Sequence, residues 1–361
     1  MVARRLEVAN VSSQAAVAEP RGLDRSRLIG FVSRSHGADP SGISLDIRPL
    51  RGGLEAAAVA RVGARWRDAA GRSRGLSFVA KRLEGSARRE AELYTLLQRQ
   101  HSDLTPRPLG VEQAGPTASY LYLEYVRQAR AWPWREVGTA AGVLGQLARL
   151  HASTTDVDSQ TVAATWDYEA ELRDQAHATL VLSDTAVRAP QLWHLRTYGP
   201  PLRRLVSSLP RLRQQLTELQ PFGKTVLHGD VHSRNVVLRA RAGREQAVFI
   251  DWGRARVGSP LEDVSSWLES LGGWEHEVRR RHDTLLRQYL RARGFGSSLE
   301  RTFRDAYWLA SVSNSLSGAL YYHLAVATDV EGRTERERTA STAAARLHLR
   351  VIQRADALWR A

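Results

Sequence analysis

Between residues 225 and 268 the chain reads TVLHGDVHSRNVVLRARAGREQAVFIDWGRARVGSPLEDVSSWL, and its oxygen-bearing side chains are spaced to converge on one small volume. The runs VVLRA and AVFID are short and apolar-rich, and the Arg-Ala-Gly-Arg-Glu stretch between them predicts a β-hairpin. Asn235 precedes the first strand and Asp251 ends the second. Antiparallel strands return to their starting end, so the two side chains are expected close together. Asp230, five residues before Asn235 in the approach loop, reaches the same volume. Two carboxylates and an amide converging in this way suit a hard cation such as Mg²⁺ and a base that takes a hydroxyl proton.

A second group lies upstream. Lys81 ends the strand-like SFVAK, where a straight side chain can project toward an anionic ligand, and Glu90 or Glu92 on the next helix can pair with it. All but two of the 52 basic residues are arginine, the exceptions being Lys81 and Lys224, so a lysine at this place argues that a compact ammonium is needed. Gly52 and Gly53, between two strand patterns, let backbone amides approach phosphates.

These residues need elements to hold them. SLDIRPL, EAAAVARVGARW and LSFVAKRL read as an antiparallel meander with turns at Arg51-Gly52-Gly53 and after Asp68. SARREAELYTLLQRQH has the apolar spacing of an amphipathic helix, and SYLYLEYV that of another strand. From Ala140, beginning with AAGVLGQLARLHA, helical patterns dominate apart from the segment around 226–251. The expected class is α+β, with residues 1–42 as an N-terminal extension carrying a short helix near Leu28 to Val32. A small β-rich lobe follows over 43–127, and a larger, mostly helical lobe over 128–361. At 361 residues the chain is long for one core, which fits two lobes.

In this order the pieces resemble the aminoglycoside phosphotransferase and choline kinase group of small-molecule kinases. The resemblance is carried by His228-Gly-Asp230-x4-Asn235, Ile250-Asp251-Trp252 and Gly258-x4-Asp263, preceded by the glycine pair, the strand lysine, the helix glutamate and the QLARLHA helix. It spans residues 43–361, resting beyond Ser270 on general helical texture. It implies a bilobal protein-kinase-like fold, ATP or GTP as phosphoryl donor with Mg²⁺, and a small-molecule hydroxyl as acceptor. Kinase-type transfer is mostly positioning and charge neutralisation around a loose transition state. Asp230 is then the base, Asn235 and Asp251 the metal ligands, and Lys81 with Glu90 the phosphate arm. Arg-Glu in ARREAELY matches the family pattern, which favours Glu90 over Glu92. Glu124 to Val126 form the adenine-binding hinge, His232 touches the γ-phosphate, and His228 and Asp263 support the loop without reacting.

Other readings fare worse. Gly223-Lys224-Thr225 ends like a phosphate-binding P-loop, but Glu218 stands where its first glycine belongs. His228 and His232 have zinc-ligand spacing without the helical H-E-x-x-H context, and no G-x-S-x-G elbow is present. Eleven residues separate Asp251 from Asp263, too few for a protein kinase's activation segment. The net charge of +14 raises nucleic acid as a partner. Its arginines are scattered singly or in pairs through most segments, the longest run being Arg279, Arg280 and Arg281, the pattern of a solvated surface, so no nucleic-acid partner is expected. The chain has no cysteine, no apolar run of roughly the 18 residues a membrane span needs, and no secretory signal at its start. No membrane association and a cytoplasmic location are expected.

Two acidic islands stand out on the basic background. Residues 151–200 hold Asp156, Asp158, Asp167, Glu169, Glu171, Asp174 and Asp184, and residues 261–277 hold Glu262, Asp263, Glu269, Glu275 and Glu277. Both flank the catalytic loop in sequence. With Trp166, Trp193, Trp267 and Trp274 nearby, they suggest an acceptor that is a hydroxylated amine, such as an aminoglycoside, held by ion pairing and cation–π contact. Neutral antibiotics, nucleosides and sugars are the alternatives. An antibiotic acceptor implies a role in resistance or biosynthesis.

Overall fold

A computed structural model describes residues 22–50, 56–130, 136–153, 160–162, 166–241, 243–272, 281–296 and 298–360. Gly52 and Gly53, and with them Asp156, Asp158, Trp274, Glu275 and Glu277, lie outside the described residues. The chain divides into two compact units, one holding the residues up to Arg88 with Pro108–Tyr125, the other Arg89–Arg107 with Val126–Ala361.

The first unit is a five-stranded antiparallel sheet in the order β1-β2-β3-β5-β4. Its strands are β1 (Ser44–Pro49), β2 (Ala56–Arg67), β3 (Ser73–Glu84), β4 (Pro108–Gln113) and β5 (Ala118–Glu124). Side chains alternate between the faces of a strand, and in β2 every second residue from Ala58 to Trp66 is buried. Helix α1 (Arg25–His36) covers the sheet and lies within what the sequence suggested was an extension. Asp24 caps it, accepting from the Ser26 amide at 2.8 Å, and Gly37 ends it at φ 63°. Its apolar stripe of Leu28, Phe31 and Val32 joins the core, with Phe31 stacked on Tyr122 at 3.9 Å. On β3, Lys81 is 7% exposed and sits in register between Val59 and Leu121. Such burial of an ammonium is rare without a functional or pairing requirement.

The second unit starts with α2 (Arg89–His101), followed by α3 (Val137–Ser153), α4 (Tyr168–Ala186), α5 (Gly199–Ser207) and α6 (Leu209–Leu219). Four short strands then lead into the helical remainder. β6 (Thr225–Leu227) pairs with β9 (Arg256–Gly258), and β7 (Val236–Arg241) with β8 (Arg244–Phe249). The helices α7 (Leu261–Gly272), α8 (His282–Ala292), α9 (Arg301–Asn314), α10 (Leu320–Thr328) and α11 (Glu335–Trp359) complete it. Thr334 and Glu337 form a reciprocal capping box at the start of α11, satisfying two helix-end amides. Among the described residues no helix is long and apolar enough to cross a membrane.

Helix α7 carries a half-buried acid with no ion pair among the described residues. Burial pushes the Glu269 carboxyl up to about 8, and its Oε1 has no hydrogen-bond partner among the described residues. Because the folded-state value lies above the unfolded one, the associated stability is complete in acid and drains away as pH rises from the ordinary glutamate range to about 8. Glu269→Gln is expected to flatten the pH dependence of the melting temperature and to stabilise the protein at pH 8 by about 2–4 kcal/mol. Thermal melts of both proteins from pH 5 to 9 check this. Parallel pH profiles would contradict it.

Candidate active site

Strand β6 delivers the chain into the turn His228-Gly229-Asp230, and β9, its partner, brings back the segment that follows Asp251. The turn depends on Gly229, whose φ is 83° and whose Cα packs so closely that a Cβ would collide with the Arg254 carbonyl and the Arg256 guanidinium. From the other side Asp263, fully buried in the first turn of α7, accepts two consecutive amides. His228 N donates to its Oδ2 at 2.7 Å and Gly229 N to its Oδ1 at 2.8 Å. His151, at the end of α3, adds a third contact to Oδ2 at 3.2 Å and takes the Tyr289 hydroxyl at 2.8 Å on its other nitrogen. Burial holds His151 below its ordinary pKa, so Nε2–H donates to the carboxylate and Nδ1 accepts. Burial alone would raise the Asp263 pKa, but the His151 hydrogen bond and the nearby positive charge of Arg256 outweigh it and keep the group ionised.

His228 is a spacer in this turn. Its Nδ1 accepts the Asp230 amide at 3.2 Å and its Nε2 donates to the Ile250 carbonyl at 2.9 Å. Both ring nitrogens are used, and burial lowers its pKa, so the ring is neutral and links the Asp230 turn to the strand that ends at Asp251.

Asn235 joins the three expected residues. Its Nδ2 donates to both the carbonyl and Oδ2 of Asp230, each at 3.0 Å, and its own carbonyl takes the Ile250 amide at 2.9 Å. The hairpin β7–β8 pairs Val236 with Phe249, so the ends meet as an antiparallel hairpin requires. With both Nδ2 protons used, Asn235 Oδ1 remains an acceptor with no partner among the described residues, in a residue only 7% exposed. Asp251 follows directly on Ile250 in a left-handed conformation, φ 66° and ψ 65°, the one positive φ among the described non-glycine residues. An aspartate held there costs conformational energy, and such strain concentrates where a side chain must be aimed. Its amide donates to the Tyr94 hydroxyl of α2 at 3.1 Å, while Arg89 of the same helix donates to the Gly253 carbonyl.

The Asp230 side chain is 40% exposed, so it is open to a ligand. Burial of the group works to raise its pKa, but His232 and the positive charges around it win and hold it below the usual carboxylate range. His232 Nδ1 accepts the Arg234 amide at 3.1 Å, which leaves its Nε2 as the nitrogen facing Asp230 Oδ2 at 3.5 Å. In α2 Glu90 is 2% exposed whereas Glu92 faces solvent. Glu124 ends β5 in the first unit, and Val126 opens the segment that belongs to the second.

Sequence reasoning missed Arg89, Tyr94, His151, Arg213 and Arg256. His151 had a signal, because it closes the QLARLHA run beside the motif. The arginines had none in a chain so rich in them.

Several acids of the two islands are engaged within the protein among the described residues. Asp167 caps α4 through the Ala170 amide at 3.0 Å, Glu169 pairs with Arg213 at 2.8 Å, and Asp184 pairs with Arg203 at 3.0 Å. Glu171 takes the Trp166 indole N–H at 2.7 Å and lies 3.4 Å from Arg254. Glu262 is buried between Arg213 and Arg256. The tryptophans are similarly engaged: Arg89 covers Trp166 at 3.7 Å, Arg196 lies 4.9 Å from Trp193, and Trp267 is buried, donating to the Ala140 carbonyl. Among the described acids of the islands, Glu169, Glu171, Asp184 and Glu262 thus meet the protein's own guanidinium groups and Asp263 meets backbone amides, while Asp174 is exposed.

Comparison with known proteins gives a consistent picture. Solved structures with the same fold include spectinomycin phosphotransferase APH(9)-Ia in complex with ADP and spectinomycin, at 13% identity and a TM-score of 0.57, covering 92% of this chain and 98% of that one. Choline kinase from Cryptosporidium parvum Iowa II matches at 10% identity and a TM-score of 0.59, covering 92% and 96%. Amicoumacin kinase hAmiN, in complex with AMP-PNP, Ca²⁺ and Ami, matches at 15% identity and 0.58, covering 92% and 94%. No curated protein matches the chain in sequence. Residues 46–306 match the phosphotransferase enzyme family, APH. The fold is thus protein-kinase-like, a strand-rich unit with a mostly helical one, and the chain belongs to the APH phosphotransferase family as a small-molecule kinase.

Proposed function

We propose that this enzyme transfers the γ-phosphoryl group of ATP to a hydroxyl of a small molecule in the cytoplasm, with Asp230 as base and Asn235 and Asp251 as ligands of Mg²⁺. The Asn235 amide carries this reading: it ties itself to Asp230 through both Nδ2 protons, leaves Oδ1 without a partner among the described residues, and its backbone carbonyl takes the amide of Ile250, the residue before the strained Asp251. An amide oxygen and a carboxylate are the donor set a hard cation takes, with water and phosphate oxygens filling the remaining positions. When bound, Mg²⁺ supplies charge neutralisation at the phosphates. Asp230 orients the acceptor hydroxyl and takes its proton. His232, its Nε2 turned toward Asp230, donates to the γ-phosphate.

Lys81 holds the donor phosphates, with Glu90 as its carboxylate partner. The burial of both residues supports this assignment and favours Glu90 over Glu92. Gly52 and Gly53 contribute amides, and Glu124 to Val126 receive the adenine. GTP is the alternative donor.

For the acceptor, a hydroxylated amine of the aminoglycoside kind is the first class to test, because spectinomycin and amicoumacin are named in the complexes of proteins sharing this fold. With such an acceptor the role is antibiotic resistance or biosynthesis. A neutral acceptor, such as a neutral antibiotic, nucleoside or sugar, is the second reading. The engagement of Glu169, Glu171 and Asp184 with arginines favours it.

Calorimetric titration of Mg-ATP tests the nucleotide site. Asp251→Ala and Lys81→Ala are each expected to weaken binding by about ten- to a hundredfold, the worth of a charge-assisted contact. Unchanged affinity together with unchanged turnover in both variants would overturn the site.

A further inference from the structure

Beside the catalytic loop lies a buried charge network that the chemistry above does not use. Arg256 is 2% exposed and Glu262 fully buried. The Arg256 guanidinium is a fork. Nη1 donates to the Gly229 carbonyl at 2.9 Å and more weakly to the Arg254 carbonyl at 3.4 Å, and Nη2 donates to Glu262 Oε2 at 2.8 Å. Its Cζ lies 4.1 Å from the Tyr168 ring centre. Glu262 Oε1 is in turn fixed by Arg213 Nη1 at 2.7 Å and the Ser259 amide at 3.2 Å, and Arg213 reaches on to Glu169.

Removing two charges from water is costly, and a buried ion pair is on average no more stable than an apolar pair of similar volume. Stability therefore does not explain why this pair is here. Its geometry does. Asp263 holds the amides of His228 and Gly229, and Arg256 holds the Gly229 carbonyl, so the peptide groups on both sides of Gly229 are fixed by side chains. The second of these peptide groups leads directly into Asp230. Without a Cβ, Gly229 has no side chain to limit its own dihedrals, and its φ of 83° is held from outside.

We infer that Arg256, braced by Glu262, is a positioning residue that sets the orientation of the Gly229–Asp230 peptide and through it the aim of the Asp230 carboxylate. This rests on the base assignment of Asp230 made above. A lysine could not replace it, because an ammonium lacks the planar fork that serves a carbonyl and a carboxylate together.

Arg256→Ala alone leaves Glu262 facing Arg213 as its one remaining charged partner and risks the fold, so two gentler variants make the test. Arg256→Lys keeps the charge. The pair Arg256→Met with Glu262→Gln removes the buried ion pair yet leaves an amide oxygen for Arg213 and Ser259. For both, kcat is expected to fall by about 10²-fold, the cost of a misplacement near 1 Å, with KM for Mg-ATP within about twofold of wild type. Amide exchange over residues 228–235 is expected to quicken about tenfold while α7 stays protected. Wild-type kcat and exchange in the folded variants would overturn the inference. So would a loss of kcat that only tracks the fraction unfolded. A wild-type protein that phosphorylates no acceptor would instead sink the proposed function, and the exchange comparison would still decide whether Arg256 fixes the loop.

Discussion

Asp230→Asn is expected to slow phosphoryl transfer by about 10²–10⁴-fold, the usual contribution of a positioned general base, with Mg-ATP affinity unchanged. The amide has the size of the carboxylate and stays within reach of Asn235 Nδ2, 3.0 Å from Oδ2 in the wild type, so the loop keeps its shape. What it loses is the ability to take a proton from the acceptor hydroxyl. The direction of the wild-type pKa adds a second observable. Positive neighbours hold the carboxyl below the ordinary range despite burial, so the group stays ionised throughout the neutral and mildly acidic region. The acid limb of kcat/KM, if this residue sets it, lies below the ordinary aspartate value of about 3.9. Steady-state rates for both proteins from pH 4 to 9 test this. A variant with near-normal kcat would remove Asp230 from the mechanism.

Asp263→Ala is expected to be the most damaging substitution for the loop as a structure. It leaves the amides of His228 and Gly229 and the Nε2 of His151 without their acceptor in a fully buried place. At about 1–3 kcal/mol for each buried donor left unmade, a total loss of about 3–9 kcal/mol follows. Denaturant unfolding followed by tryptophan fluorescence reads this directly, since Trp252 and Trp267 are both fully buried in the same unit. Because the folded-state pKa of Asp263 is depressed, its contribution is fully present above the ordinary aspartate range and is lost as pH falls through the folded value. Wild type and variant should therefore differ at pH 7 and converge in strong acid. An equal gap at all pH values would show that the carboxylate charge is not what holds the turn.

The parts of this molecule that could be read from its sequence are those where local pattern and chemistry coincide. The alternation in AAAVARVGARW marked a strand because one face is buried in the sheet core. The Asn235 to Asp251 hairpin followed from two short apolar runs and a turn, and pairing Val236 with Phe249 brings its ends together. Lys81 drew notice because lysine is rare here and proves buried. Helix α1 was visible only in part, since its length comes from the Asp24 cap and from Phe31 stacking on Tyr122, a partner some ninety positions away. Tertiary packing of that kind leaves no local period. Charge was the signal least resolved by sequence alone. Summed along the chain, the acids near the catalytic loop suggested a cation-binding face. In space Glu169, Glu171, Asp184 and Glu262 meet arginines from distant segments, and Asp263 meets backbone amides. Arg256 was invisible for the same reason, because the Gly229 carbonyl it holds is 27 residues away.

The most direct test of the central claim is an acceptor screen with purified protein and Mg-ATP, read by ADP release and by the mass of the product. The account predicts ADP formation that depends on a hydroxylated small molecule, one phosphoryl group added to that molecule, and loss of both signals in Asp230→Asn. Acceptor-dependent transfer that survives intact in Asp230→Asn, or ADP release with no phosphorylated product from any hydroxylated amine, nucleoside, sugar or neutral antibiotic, would contradict it.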